Sequence, residues 1–215
     1  MRNNLVLFSL LLLTTLSNCL SNDNFRIGMS LGVNSVNAKV KSSLTQQSIK
    51  LVKNSPSAAI FGGLDHDIAD TPMFIGLELE ANNHNSEKEM FIDYGPMTGG
   101  SNLKLKTNNS LSAALRFGVT TDSTLLYAKA GIGTSNWMLN LKSVANVGAE
   151  ESRAYFQKIG YIGGFGMESK MSKSFSLGLE HQYTLNRKFT FAYREDIIKV
   201  NPLNQTTSFR LIYSF

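Results

Sequence analysis

An all-β fold is what this sequence predicts: eight antiparallel strands in up-and-down order, closed into a barrel. Three observations carry it. Apolar and polar residues alternate with period two in eight segments of about nine to twelve residues. The connections between the segments are alternately short and long. No stretch of comparable length has a helical period. The 215 residues suit one domain, or two small ones. Charged residues are 17% and hydrophobic ones 42%, so the chain folds but is poorer in charge than most soluble domains. Beyond the N-terminus no apolar run reaches the roughly 18–20 residues of a spanning helix, which excludes a helical membrane bundle. The single Cys19 excludes a disulfide framework and a cysteine zinc site.

The first strand runs from Phe25, with Ile27, Met29, Leu31 and Val33 on one face and Arg26, Gly28, Ser30 and Gly32 on the other. The second is weaker: Ala58, Ile60 and Leu64 alternate with Ser57, Ala59 and Gly63, and Phe61 falls on the polar side. The third sets Met73, Ile75, Leu77, Leu79 and Ala81 against Gly76, Glu78 and Glu80. The fourth sets Leu111, Ala113, Leu115, Phe117 and Val119 against Ser112, Arg116 and Gly118. The fifth sets Leu126, Ala128, Ala130 and Ile132 against Tyr127, Lys129, Gly131 and Gly133. The sixth sets Ile159, Tyr161, Phe165 and Met167 against Lys158, Gly160, Gly164, Gly166 and Glu168. The seventh sets Phe175, Leu177, Leu179, Tyr183 and Leu185 against Ser176, Gly178, Glu180 and Gln182. The eighth sets Phe209, Leu211, Tyr213 and Phe215 against Ser208, Arg210 and Ser214.

Asp67–Pro72, 120–123 and 170–174 are short and rich in Asp, Ser and Thr, as tight hairpins require. Segments 41–56, 82–109, 135–154 and 186–205 are long and carry Asn, Ser, Lys and Glu, so they are expected to be loops. An even number of two-faced strands in this rhythm closes into a barrel, which removes the sheet edges. The polar face then decides which way the barrel is turned. It carries Arg26, Glu78, Glu80, Arg116, Lys129, Lys158, Glu168, Glu180 and Arg210, five cations and four anions interspersed with Gly and Ser. Eight strands leave an interior just wide enough to be filled by side chains. Near-balanced charge suits such a lumen, where each charge must be paired. The apolar faces therefore point to lipid. Aromatic residues near the strand ends, among them Phe25, Tyr161, Phe175, Tyr183 and Phe209, suit an interfacial girdle. The expected architecture is an eight-stranded antiparallel up-and-down transmembrane β-barrel with short periplasmic turns and four long extracellular loops.

The N-terminus reads as an address. Arg2 is followed by an apolar stretch from Leu5 to Leu16 and then by small residues, the layout of a secretory signal peptide. Residues 1–21 are assigned to that peptide and 22–215 to the barrel. Leu16-Ser17-Asn18-Cys19 also has the form of a lipoprotein box, so Cys19 is either removed with the peptide or lipidated.

Three stretches carry a family likeness. They are Phe209-Arg210-Leu211-Ile212-Tyr213-Ser214-Phe215, the hairpin from Tyr161 to Tyr183, and Leu126-Tyr127-Ala128-Lys129-Ala130-Gly131-Ile132-Gly133. The chain resembles the eight-stranded outer-membrane β-barrels of Gram-negative bacteria, of the porin-family, Opa and OmpA-barrel type, over roughly 24–215. The resemblance implies that Phe209, Leu211, Tyr213 and Phe215 form a C-terminal signal read by the barrel-assembly machinery. Anchoring to peptidoglycan is not among the expectations it raises.

No catalytic constellation, cofactor site or metal site is expected. Asp65-His66-Asp67 lies at a turn without further ligands in view. His181 faces lipid, and a lipid A hydrolase using His, Ser and Glu would need a Ser beside it, whereas Tyr183 is its neighbour two residues on. The positive charge, net +5, is diffuse and accompanies no nucleic-acid module. Lys39, Lys41, Lys50 and Lys53 could meet lipopolysaccharide or a cell surface, or simply be solvated. The leading expectation is a monomeric, non-enzymatic envelope or adhesin-like protein of the outer membrane, acting through its extracellular loops. Its partners would be outer-membrane lipid, lipopolysaccharide, the assembly machinery and a host-surface ligand. A narrow solute channel and a soluble periplasmic ligand-binding barrel are the alternatives.

Overall fold

A computed structural model describes residues 23–93, 100–143, 151–193 and 196–215. The assigned signal peptide and Cys19 lie outside the described residues. The elements are β1 (Asp23–Ser42), β2 (Ser48–Asp67), β3 (Met73–Asp93), β4 (Gly100–Thr120), β5 (Thr124–Ser143), β6 (Glu151–Lys170), β7 (Phe175–Asn186), β8 (Phe189–Tyr193) and β9 (Asp196–Ser214). All pairings are antiparallel. Each strand pairs with the next from β1 to β7, β7 pairs with β9, and β9 returns to β1. The ring therefore has eight members. β8 prolongs β7 and pairs with the first residues of β9. Pro202 of β9, which has no N–H to give a ladder, lies opposite the break between β7 and β8.

The eight alternating segments sit at one end of the ring, joined by the three short turns. Their apolar residues point outward: Leu31 is 67%, Ile60 68%, Leu111 62% and Phe209 73% exposed. Among the described residues no helix is long and apolar enough to cross a membrane; the crossing is made by strands. The outward apolar band is what such strands present to hydrocarbon. The inward-facing arrangement of a soluble ligand-binding barrel is thereby overturned.

One expectation needs correction. Segments 41–56, 82–109, 135–154 and 186–205 are largely strand, not loop. Seven of the strands run for 19 to 21 residues, about twice the 9–11 that a crossing requires. The reason is a second alternation of opposite sense. In β1 the outward apolar positions end at Val33, and Val36, Ala38 and Val40 turn inward. In β5 they end at Ile132, and Trp137, Leu139 and Leu141 turn inward. Above the band the barrel wall meets water, so its apolar side chains must pack inside. They form an apolar core with Leu51, Ile92, Leu103, Leu105, Phe189, Ile198 and Val200. At the crossover, β3 and β4 are irregular at Asn82–Asn85 and Asn108–Ser110. Asn109 has φ 24°, a conformation that Asn tolerates better than most residues.

Candidate functional site

The inward positions of the band assemble one network. Arg26 reaches Glu78 at 2.5 Å, Glu168 at 3.1 Å and Asp65 at 3.1 Å. Arg116 binds Glu168 at 2.7 Å and Asp65 at 3.1 Å. Arg210 binds Glu78 at 2.8 Å and also Glu180. Lys129 Nζ stands 2.7 Å from Glu180, 3.2 Å from Glu78 and 3.8 Å from Glu80. All of these groups are buried. The structure thus brings together Arg26, Glu78, Glu80, Arg116, Lys129, Glu168, Glu180 and Arg210. Lys158 stands apart: it is half-buried, with its ammonium 5.2 Å from the Phe156 ring centre and 5.6 Å from that of Phe189.

Three members escaped the sequence reading. Asp65 points inward to Arg26 and Arg116, while its neighbours His66 and Asp67 are exposed, so the three do not converge on a metal. Tyr127 donates its hydroxyl to Glu180 at 2.7 Å, accepts from Arg210 at 2.7 Å, and stacks under the Arg116 guanidinium at 3.8 Å. Phe61 is buried beneath Arg210, whose guanidinium lies 3.6 Å from its ring centre. The inward parity of all three was the available signal. Inward glycines make the room. A Cβ at Gly166 would strike the Tyr127 ring, at Gly28 the Phe61 ring, and at Gly76 the Asp65 carboxylate. Glu78, Glu80 and Glu180 bring carboxylate oxygens within 4.8 Å of one another. The Lys129 ammonium stands among them.

Above the network lies a buried layer of uncharged polar residues, including Asn34, Ser57, Asn82, Ser135, Gln182 and Asn204. His84 belongs to it, buried and 3.4 Å from Thr107 Oγ1. Burial pushes its imidazole down to about 4. At the far end Asp196 accepts from Ser42 Oγ at 2.7 Å and from the backbone N–H of Ser43 and Leu44 at 2.9 and 3.0 Å. Desolvation works against its charge, but these hydrogen bonds prevail and hold its carboxyl below the ordinary range.

On the lipid-facing wall, His181 Nδ1 lies 2.7 Å from Thr207 Oγ1, between the rings of Phe165 and Tyr183. Thr207 is the cross-strand neighbour of His181, a proximity visible only once β7 and β9 are paired. Glu180 turns into the lumen, so it does not complete a triad with them. At the C-terminus Phe209, Leu211 and Phe215 face outward, while Tyr213 is half-buried and edge-on to Phe175 and Phe215. Phe215 also packs on Phe25.

The family model for the outer membrane protein beta-barrel domain matches residues 6–215. The chain belongs to this family. It is a protein of the bacterial outer membrane. Among solved structures it is similar to the outer membrane protease OmpT from Escherichia coli, at 11% identity and TM-score 0.53, covering 91% of this chain and 98% of that one. It is also similar to Neisserial surface protein A, at 15% identity and TM-score 0.45, covering 87% and 97%. A third is Ail, the attachment invasion locus protein of Yersinia pestis, solved with the heparin analogue sucrose octasulfate. There the identity is 13% and the TM-score 0.41, covering 86% and 98%. Identities this low speak for the fold alone. No curated protein sequence matches the chain.

Proposed function

We propose that this barrel is a non-enzymatic surface protein that presents the tips of its extracellular hairpins for attachment. The observation that carries the reading is the extension. Its strands continue far beyond the apolar band, and an apolar core from β1 to β5, β8 and β9 stiffens it from within. Recognition is commonly placed on loops held by a rigid scaffold, and here the scaffold itself is raised above the membrane. The charged groups of the lumen are engaged with one another and shielded from solvent, which favours a structural role for them over catalysis. The C-terminal Phe209, Leu211, Tyr213 and Phe215 are the segment we assign to the assembly machinery.

The test is adhesion of cells displaying the protein to host cells and matrix. Shortening the β3–β4 hairpin at the Ser86–Thr107 pair should abolish adhesion while the barrel stays in the outer membrane. Because a trimmed barrel could misassemble, antibody fragments against the tips provide a second arm on the intact protein. Undiminished adhesion in both arms would sink the reading.

A further inference from the structure

The wall of the extension is interrupted between β2 and β3. The two strands pair from Asp67 and Phe74 only as far as Ser57 and His84. Above that point β2 stays on its ladder with β1 as far as Ser48, and β3 on its ladder with β4 as far as Asp93. The next facing residues across the interruption, Ser55 and Ser86, join through their side-chain hydroxyls. Counting on in the same register, the pair after them is Lys53 and Lys88. Lys53 has the inward parity of β2, between Leu51 and Ser55, and Lys88 has that of β3, two residues from Ser86. Like charges facing one another destabilise a sheet, and here no ladder holds the strands against the repulsion.

Both lysines line one crevice, together with Ser86, Thr107 and Trp137. The rest of its lining is apolar and buried: Val36, Leu51 and Leu105. Among the described residues no carboxylate lines it. Trp137 is 2% exposed, and among the described residues its indole Nε1–H finds no acceptor. A buried indole N–H ordinarily has one, and it can only donate. The crevice has a volume of about 10 Å³, room for about one particle of the size of a water molecule. Water would satisfy the indole but leave two ammonium charges facing each other. An anion does both.

We propose that this crevice binds a small inorganic anion of halide size, chloride in the natural medium. The Lys53 and Lys88 ammonium groups flank the ion, and the Trp137 indole N–H donates to it. Ser86 accepts from Ser55 and Thr107 accepts from His84 Nε2–H, which leaves both hydroxyl protons for the ion. Lys53 and Lys88 are exposed, so the ion enters from outside. Bound there, it ties β2 to β3 where the backbone ladder is missing. The site does not depend on the adhesive reading.

Trp137 is the single tryptophan of the chain and therefore reports on the site directly. The experiment titrates bromide, a heavy-atom quencher, into the refolded barrel in detergent. Ionic strength is held constant with sodium gluconate, whose anion is too large for the crevice. Quenching of the Trp137 emission should saturate, and chloride should reverse it competitively. Lys53→Gln and Lys88→Gln should each weaken the apparent affinity about tenfold, the effect of losing one hydrogen bond to a charged group. In gluconate alone both variants should unfold at or above the wild-type urea midpoint, because the repulsion is relieved; this also shows that they fold. Chloride should raise the midpoint of wild type and leave that of the double variant unchanged. Quenching of wild type that rises linearly without saturation overturns the site, since it is then collisional. Equal affinity in wild type and the double variant overturns it as well. Stronger competition by sulfate or phosphate than by chloride overturns the assigned class of ion.

Discussion

Arg210 shows how closely the lumen is matched at the level of single residues. Its guanidinium meets Glu78, Glu180, the Tyr127 hydroxyl and the Phe61 ring, and it has no exposed route to water. Removing one member of such a set leaves another buried and unpaired. Arg116→Ala and Glu180→Ala should each cost about 3–5 kcal/mol, read as a lower urea midpoint and altered heat-modifiable gel mobility. Unchanged mobility in both variants would count against the network. Inward parity made most of these residues legible in the sequence. Asp65 was obscured by its place beside His66 and Asp67 at a turn, and Tyr127 by being aromatic on a face otherwise read for charge. His84 supplies a pH dependence. The folded protein keeps it neutral down to about 4, whereas the unfolded chain protonates it near 6.5. Stability is therefore full above pH 6.5, declines as pH falls, and loses nothing further from this group below about pH 4. Urea midpoints across that window should fall for wild type and flatten for His84→Gln.

Single strands change allegiance along their length. The half of each strand near the short turns was legible because a lipid-facing strand shows its apolar residues on the side away from the charges. The other half was largely read as loop because its polar residues are many and its apolar ones, such as Leu51 and Leu139, fall on the opposite parity. A period-two pattern does not state which solvent lies outside. Asp196 matters at this scale, since it ties the start of β9 to the turn after β1. Asp196→Asn keeps the volume and removes the charge. Hydrogen bonds to charged groups contribute about 1.5–3 kcal/mol, so amide exchange at Ser43 and Leu44 should speed up by about tenfold or more. Its carboxyl is held below the ordinary range, so the latch is intact at neutral pH. It is lost as pH falls through the folded-state pKa.

Taken as a whole, the barrel interior is stacked in three layers: the charge network, the uncharged polar belt and the apolar core. Two of them obstruct a path for ions in different ways, one by paired charge and the other by packed hydrocarbon. Planar bilayers containing the protein should show no conductance steps. Steps that disappear on blocking the lumen would instead support the narrow channel. The sequence by itself determined the barrel, its strand count, the face turned to lipid and most of the buried charges, because each follows from local alternation and from the cost of burying unpaired charge. Only the tertiary structure decided how far the barrel rises above the membrane, that Asp65 and Tyr127 join the network, that Thr207 meets His181, and that Lys53 of β2 and Lys88 of β3 line one crevice. Those facts depend on the register between strands, and register is a property of paired chains that no single segment carries.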